Sequence, residues 1–141
     1  MKDQQLIKRL REKGFRVTPQ RLAVCEFVLS SKDHPTVDQA YQAVQKRHPT
    51  ISLATVYQTL HLLTEIGMLQ ELGISNGVSR YDPNSSPHVN VVCKNCGKIQ
   101  DYESESARKF LLQIVAELKC TLVGQHLEIQ TYCNHCRTLK T

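Results

Sequence analysis

The sequence predicts a two-part α+β fold. Three observations carry this. Apolar residues recur at helical spacing through the first ~65 residues, an Asn-Gly turn splits two strand-like runs after them, and two Cys-x2-Cys pairs bracket a mixed C-terminal stretch. The chain has 141 residues, 40% apolar and 22% charged, which allows one or two small domains with a real core. That length excludes a large multidomain enzyme, and that composition excludes wholesale disorder.

The elements follow in order. Residues 3–13 form a short helix with Leu6, Ile7 and Leu10 on one face, ended by Gly14. Thr18-Pro19 starts the next: Thr caps and Pro takes the first helical position. Leu22, Cys25, Val28 and Leu29 continue it. His34-Pro35-Thr36 breaks the chain. Ala40, Tyr41 and Val44 then mark a third helix, stopped near His48-Pro49. Ser52 caps a fourth helix over 53–66, carried by Leu53, Val56, Leu60 and Leu63 and stopped by Gly67. Strands over 69–73 and 78–82 flank Ser75-Asn76-Gly77, a strong hairpin signal. Helices followed by a hairpin are the order of a winged helix-turn-helix.

Residues 83–87 (Pro-Asn-Ser-Ser-Pro) read as a linker. Beyond it lie strands over 88–93 and 99–102, then a helix on Ala107, Phe110, Leu111, Ile114, Val115 and Leu118. A long strand over 122–132, with Leu127, Ile129 and Thr131 alternating against Glu128 and Gln130, completes a ββαβ unit. About 55 residues gain from a metal or a partner subunit. The organisation is therefore 1–82, a hinge at 83–87, and 88–141.

The formal net charge is +5. Residues 1–21 carry all of it, with Lys2, Lys8, Arg9, Arg11, Lys13, Arg16 and Arg21 against Asp3 and Glu12. A basic segment on a neutral body points to a polyanion, most simply nucleic acid. A solvated Lys-rich helix competes evenly on charge alone. No apolar run spans a bilayer and no apolar leader opens the chain, so the expected location is the cytosol, with reduced thiols.

Cys93, Cys96, Cys133 and Cys136 form two knuckles that can close a tetrahedral S4 site, and soft thiolates favour structural Zn2+. A redox Cys-x2-Cys needs a pair at a helix start. Both pairs here are expected at strand ends. Cys25 and Cys120 read as buried small apolar residues. A second, oxygen- and nitrogen-rich set comprises His34, Asp82, His88, Asn90 and Asp101. His88 and Asn90 share a strand face, and the knuckle can fold Asp101 back onto it. Spacing alone leaves a shared metal site the weaker reading, beside ordinary loop and turn roles.

Taken together, RVTPQR (16–21), SLATVYQTL (52–60), EIGML (65–69), RYD (80–82), HVNVVCKNCGK (88–98) and CNHC (133–136) make the chain similar to the ferric uptake regulator (Fur) family, along essentially its whole length. The resemblance implies a metal-dependent transcription repressor. Its fold would be an N-terminal winged helix-turn-helix plus a small C-terminal α/β dimerisation domain with a four-cysteine zinc site. The resemblance also implies a regulatory site for Fe2+ or Mn2+ on His34, Asp82, His88, position 90 and Asp101. Asp101, rather than glutamate, resembles the peroxide-sensing PerR branch. There, iron-catalysed peroxide chemistry would oxidise His34 or His88 and derepress the target genes. The family usually has His at position 90; Asn90 departs from it. Looser binding, a manganese preference and another ligand all stay open. A further metal site of some members falls here on Pro87 and Val89, so it is expected to be absent, with His126 a satisfied strand residue.

The expected partners are a palindromic operator in double-stranded DNA and a second copy of the chain; no membrane and no small-molecule substrate are expected. The candidate DNA contacts are Ser52, Thr55, Tyr57 and Gln58 for bases and phosphates, and Arg16, Gln20 and Arg21 for the backbone. Arg80 on the wing could reach a phosphate or pair with an acid. His48, His61 and His135 read as surface residues. An iron- or manganese-responsive repressor without peroxide chemistry is the nearest alternative, and a zinc-ribbon interaction module is the alternative from another class. No nucleophile–base arrangement favours an enzyme.

Overall fold

In the computed structural model, residues 2–74, 77–122 and 125–139 are described. The order is α1 (Lys2–Glu12), α2 (Pro19–Ser30), α3 (Val37–Gln45), α4 (Leu53–Glu65), β1 (Gln70–Ile74), β2 (Val78–Asp82), β3 (Val89–Cys93), β4 (Ile99–Tyr102), α5 (Glu105–Leu118), β5 (Leu127–Thr131) and α6 (Asn134–Leu139).

Local chemistry sets the helix starts. The hydroxyls of Thr18, Thr36 and Ser52 each accept from the amide three residues on. Thr36 and Gln39 complete a reciprocal capping box. Gly67, at φ +77°, turns the chain out of α4 in the left-handed conformation that glycine adopts without a Cβ clash. The faces of α1–α4 then close one core around Leu6, Leu10, Val24, Cys25, Val28, Ala40, Val56, Leu60 and Leu63, extended to the wing by Leu69 and Tyr81.

β1 and β2 pair antiparallel, with Gln70 opposite Asp82. The Ser75-Asn76 half of the expected turn lies outside the described residues. The second sheet runs β4-β3-β5. β4 returns antiparallel on β3, setting Asn90 opposite Asp101. β5 runs parallel to β3, setting Cys93 opposite Thr131. A small cluster of Leu72, Val92 and Ile99 packs the wing against this sheet.

Four expectations are corrected. Among the described residues the strand expected over 122–132 is Leu127–Thr131, and its residues do not alternate in burial. A short helix, α6, follows it, so the second Cys-x2-Cys pair enters a helix rather than ending a strand. On α5 only Leu111 is buried and Ile114 and Val115 are half-buried, while Phe110 and Leu118 stand 58% and 68% exposed, because among the described residues no element packs closely over that face. Cys25 is buried as expected, but Cys120, just beyond α5, is exposed. Among the described residues no helix is long and apolar enough to cross a membrane.

Candidate metal centre

Two clusters of potential metal ligands stand out among the described residues. The first is built by the parallel pairing of β3 and β5. With Cys93 opposite Thr131, residue 133 arrives beside the first knuckle. The four sulfurs of Cys93, Cys96, Cys133 and Cys136 lie within 4.8 Å of one another. Cys96 and Cys133 are 3.9 Å apart, close to the ~3.8 Å edge of a tetrahedron with ~2.3 Å Zn–S bonds. Amides of Cys133 and Cys96 donate toward Cys93 and pull its thiol down to about 6. Cys133 is lowered too, by the Cys136 amide. Asn95 donates to Cys136 at 3.4 Å and favours its thiolate, but burial and the neighbouring sulfurs outweigh this and push the thiol up to about 11. Two thiols made more acidic by backbone amides, and four convergent sulfurs, fit zinc. The position of the second pair at the start of α6 no longer argues against redox chemistry; the convergence of both pairs does.

The second cluster gathers His34, Asp82, His88 and Asp101, again within 4.8 Å. His34 comes from the break before α3, Asp82 from the end of β2, His88 from just before β3, and Asp101 from β4. The His34, Asp82 and His88 side chains are at most 2% exposed, and that of Asp101 is 30% exposed at the mouth of a cleft.

Both His34 ring nitrogens complete no hydrogen bond, although Nε2 lies 2.8 Å from Asp101 Oδ1 and 3.5 Å from Asp82 Oδ2. His88 Nδ1 sits 2.7 Å from the Ser86 carbonyl, which can only accept, so Nδ1 carries a proton. Its Nε2 faces Asp82 Oδ2 at 2.8 Å. Burial works against the charged ring, but the Ser86 carbonyl and the Asp82 charge outweigh it and raise His88 above the ordinary histidine range. Burial likewise opposes the Asp82 charge, yet His34, the Asn84 amide and His88 hold it below the usual carboxylate range.

Asn90, 2% exposed, leaves its amide oxygen buried without a partner. Buried polar atoms without partners are rare, and each calls for an ion, water or strain to explain it. Two imidazoles and two carboxylates within 4.8 Å of one another, with the orphaned Asn90 oxygen on the strand position opposite Asp101, fit a divalent cation of the Mn2+ or Fe2+ kind.

The candidate DNA contacts are partly gathered. Arg16, Ser52, Tyr57 and Gln58 are exposed, and Tyr57 does not pack between helices. Gln20 donates to Thr50 at 3.0 Å, which joins the start of α2 to the approach of α4. Thr55 is engaged with the Ser52 hydroxyl at 2.9 Å. Arg21 is committed locally: its guanidinium lies 4.9 Å over the Phe15 ring and donates to the Arg16 carbonyl.

Among the described residues Arg80 does not pair with an acid. It donates to the carbonyls of His34, Asp33 and Gly97. No residue pattern signals this, because backbone acceptors are common to every residue type. His126 precedes β5 rather than lying in it, and its Nε2 is 3.4 Å from Glu128. His61 and His135 are exposed, while His48 is half-buried.

A capped helical core with a two-stranded wing, a sheet whose end carries a four-cysteine cluster, and a His/Asp cluster drawn from both parts define a metal-dependent DNA-binding transcription repressor. The profile of the ferric uptake regulator family matches residues 12–130, and the chain belongs to that family. Family members bind DNA and form dimers. The chain is 37% identical over 130 residues to the peroxide-responsive repressor PerR of Staphylococcus epidermidis, covering 91% of this chain and 85% of that one. The Campylobacter jejuni peroxide stress regulator superposes with a TM-score of 0.71 at 30% identity, covering 92% and 93% of the two chains. The Helicobacter pylori ferric uptake regulator shares the fold, with a TM-score of 0.79 at 19% identity over 95% and 90%.

Proposed function

We propose that this chain is a dimeric, peroxide-responsive repressor of a palindromic operator in the cytoplasm. Residues 1–82 read DNA, 83–87 are the hinge and 88–141 make the dimer. Cys93, Cys96, Cys133 and Cys136 hold structural Zn2+. His34, Asp82, His88, Asn90 and Asp101 hold Fe2+ or Mn2+.

One observation carries this reading: the second cluster draws His34 and Asp82 from before the hinge and His88 and Asp101 from after it, all within 4.8 Å. Ligation from both sides fixes the angle between the lobes. In a dimer that angle sets the spacing of two α4 helices, which must match half-sites about one turn, ~34 Å, or a multiple apart. A 100-fold change in affinity needs about 2.7 kcal/mol of coupling. Ser52, Thr55, Tyr57 and Gln58 lie at the start of α4, where a recognition helix meets bases. Arg16, Gln20 and Arg21 flank it. The exposed Phe110, Leu118 and Ile129 supply the apolar surface that a second copy would cover.

Bound iron supplies the one-electron chemistry that activates hydrogen peroxide. The net change is one oxygen atom added to a ring carbon of His34 or His88, with water released. That imidazole then ligates poorly, and the lobes separate.

The test is duplex binding by wild type and His34→Ala with Mn2+, Fe2+ or chelator. Metal-dependent binding is expected in wild type alone, with zinc and dimer intact in both. After peroxide, iron-loaded protein should gain about 16 Da, the mass of that one oxygen, on a peptide carrying His34 or His88. An unmodified pair with retained metal-dependent binding would make the protein a metal-homeostasis repressor instead.

A further inference from the structure

Three consecutive carbonyls of the loop that carries His34 face β2. The Asp33 carbonyl accepts from Arg80 Nη2 at 2.8 Å, and the His34 carbonyl accepts from Arg80 Nε. The Pro35 carbonyl accepts from the Tyr81 amide at 3.0 Å. The remaining arm of the guanidinium, Nη1, donates to the Gly97 carbonyl at 3.3 Å. Gly97 closes the first cysteine knuckle: its amide donates to the Cys93 carbonyl at 2.9 Å, at a φ of +76°. One side chain thus joins the wing, the His34 loop and the knuckle.

The His34 backbone needs holding. It sits at φ +51°, a left-handed conformation uncommon for any residue with a Cβ. Such a conformation persists only where its surroundings over-determine it. Residues two apart on a strand share a face, so Arg80 and Asp82 both address this loop. Arg80 grips its backbone while Asp82 Oδ2 stands 3.5 Å from the His34 ring. Among the described residues no ion pair with a carboxylate accompanies the Arg80 contacts; its planar fork serves carbonyls alone.

We propose that Arg80 is a positioning residue for the regulatory cation: it holds His34 in its ligating pose and ties that pose to the zinc knuckle through Gly97. The proposal rests on the regulatory-metal reading above. The knuckle becomes the fixed point against which the His34 loop is set, so the two metal clusters form one mechanical unit without sharing a ligand.

The test uses zinc-loaded, full-length wild type, Arg80→Ala and Arg80→Lys. The first readout needs no regulatory metal. Amide exchange in the segment 33–36 should quicken in Arg80→Ala; unchanged exchange would overturn the clamp. The second is Mn2+ affinity without DNA, read from the electron paramagnetic resonance of free Mn2+. Arg80→Ala should bind about 10- to 100-fold more weakly, the usual cost of losing a group that orients a ligand. Arg80→Lys should fall between, since an ammonium is a point donor without the fork. It also carries the test if the alanine variant fails to fold. Mn2+ affinity equal to wild type in both variants would overturn the proposal. So would a phosphate-contact signature, with metal affinity intact but the salt slope of DNA binding reduced by about one. Wild type that binds no Mn2+ at this cluster would strike the regulatory-metal reading and the metal half of this proposal, while the exchange result still judges the clamp.

Discussion

His88 Nε2 lies 2.8 Å from Asp82 Oδ2, and these two residues stand at the two ends of the 83–87 segment. Both side chains are 1% exposed. The 83–87 segment is therefore tied across its own span by a buried pair. With Nδ1 protonated against Ser86, a second proton on Nε2 makes the ring an imidazolium facing a carboxylate, which agrees with the raised His88 and lowered Asp82. Asp82→Asn keeps the shape and removes the countercharge. The metal-free variant should lose about 3 kcal/mol in urea unfolding, the low end for breaking a buried pair. It should also lose metal-dependent duplex binding while retaining zinc. Full stability together with full regulation would remove Asp82 from both roles.

Asn90 offers the sharpest test of metal preference. In the proposed ligand set, its orphaned oxygen would make the site richer in oxygen than an imidazole at that position would. Oxygen suits manganese, and imidazole suits iron and zinc. Asn90→His should raise the Zn2+-to-Mn2+ affinity ratio by about tenfold, which is ~1.4 kcal/mol. Asn90→Leu should weaken Mn2+ binding without changing the ratio of zinc to protein at the cysteines. Competition titrations against a fluorescent chelator read both; an unmoved ratio in Asn90→His would show that residue 90 does not ligate.

The helical half of the fold is legible because its signals are local. Thr18-Pro19, Thr36 and Ser52 mark their own helices, and Leu53, Val56, Leu60 and Leu63 repeat at a helical period. The two ligand clusters are legible as residue types, and the Asn90–Asp101 register follows from a tight knuckle that allows one return path. The six residues of α6 are too few to show a period, so nothing announces that helix. The apolar stripe of α5 is plain in the sequence, but among the described residues only its Leu111 is buried. Arg80 is the least legible residue. Its partners are carbonyls 17 to 47 residues away, and tertiary acceptors of that kind leave no trace in residue identity.

The C-terminal sheet should depend on zinc. Among the described residues its buried apolar cluster is Val92 and Ile99 with Leu72 from the wing, whereas the helical core extends from Leu6 to Tyr81. A structural zinc contributes about 10–16 kcal/mol of apparent binding free energy near neutral pH, far more than so small a cluster can. Cys96→Ser or prolonged chelation should therefore unfold the segment beyond the hinge first. Hydrogen exchange should show protection lost over 89–93 and 127–131 while α2 and α4 keep theirs. Simultaneous loss in both halves would mean the helical core does not stand without the sheet.

Cys25 provides a pH test independent of either metal cluster. Its side chain is fully buried between helices, and burial pushes its thiol from 9.0 to about 12. The unfolded chain ionises this thiol near 9, whereas the folded chain resists until about 12. The thiol's contribution to stability is thus complete below pH 9 and is lost as pH rises toward 12, at about 1.4 kcal/mol per pH unit. Cys25→Ala removes the titration at the cost of a small cavity. Wild type should be the more stable at about pH 8, and the difference should shrink steadily between about pH 9 and pH 10.5 in urea unfolding of zinc-loaded protein. A constant difference would mean that the unfolded chain shields the thiol equally. In the same samples near neutral pH a thiol reagent should label exposed Cys120 quickly and leave Cys25 untouched. Labelling of Cys25 at a comparable rate would instead place α2 among the mobile parts of the fold.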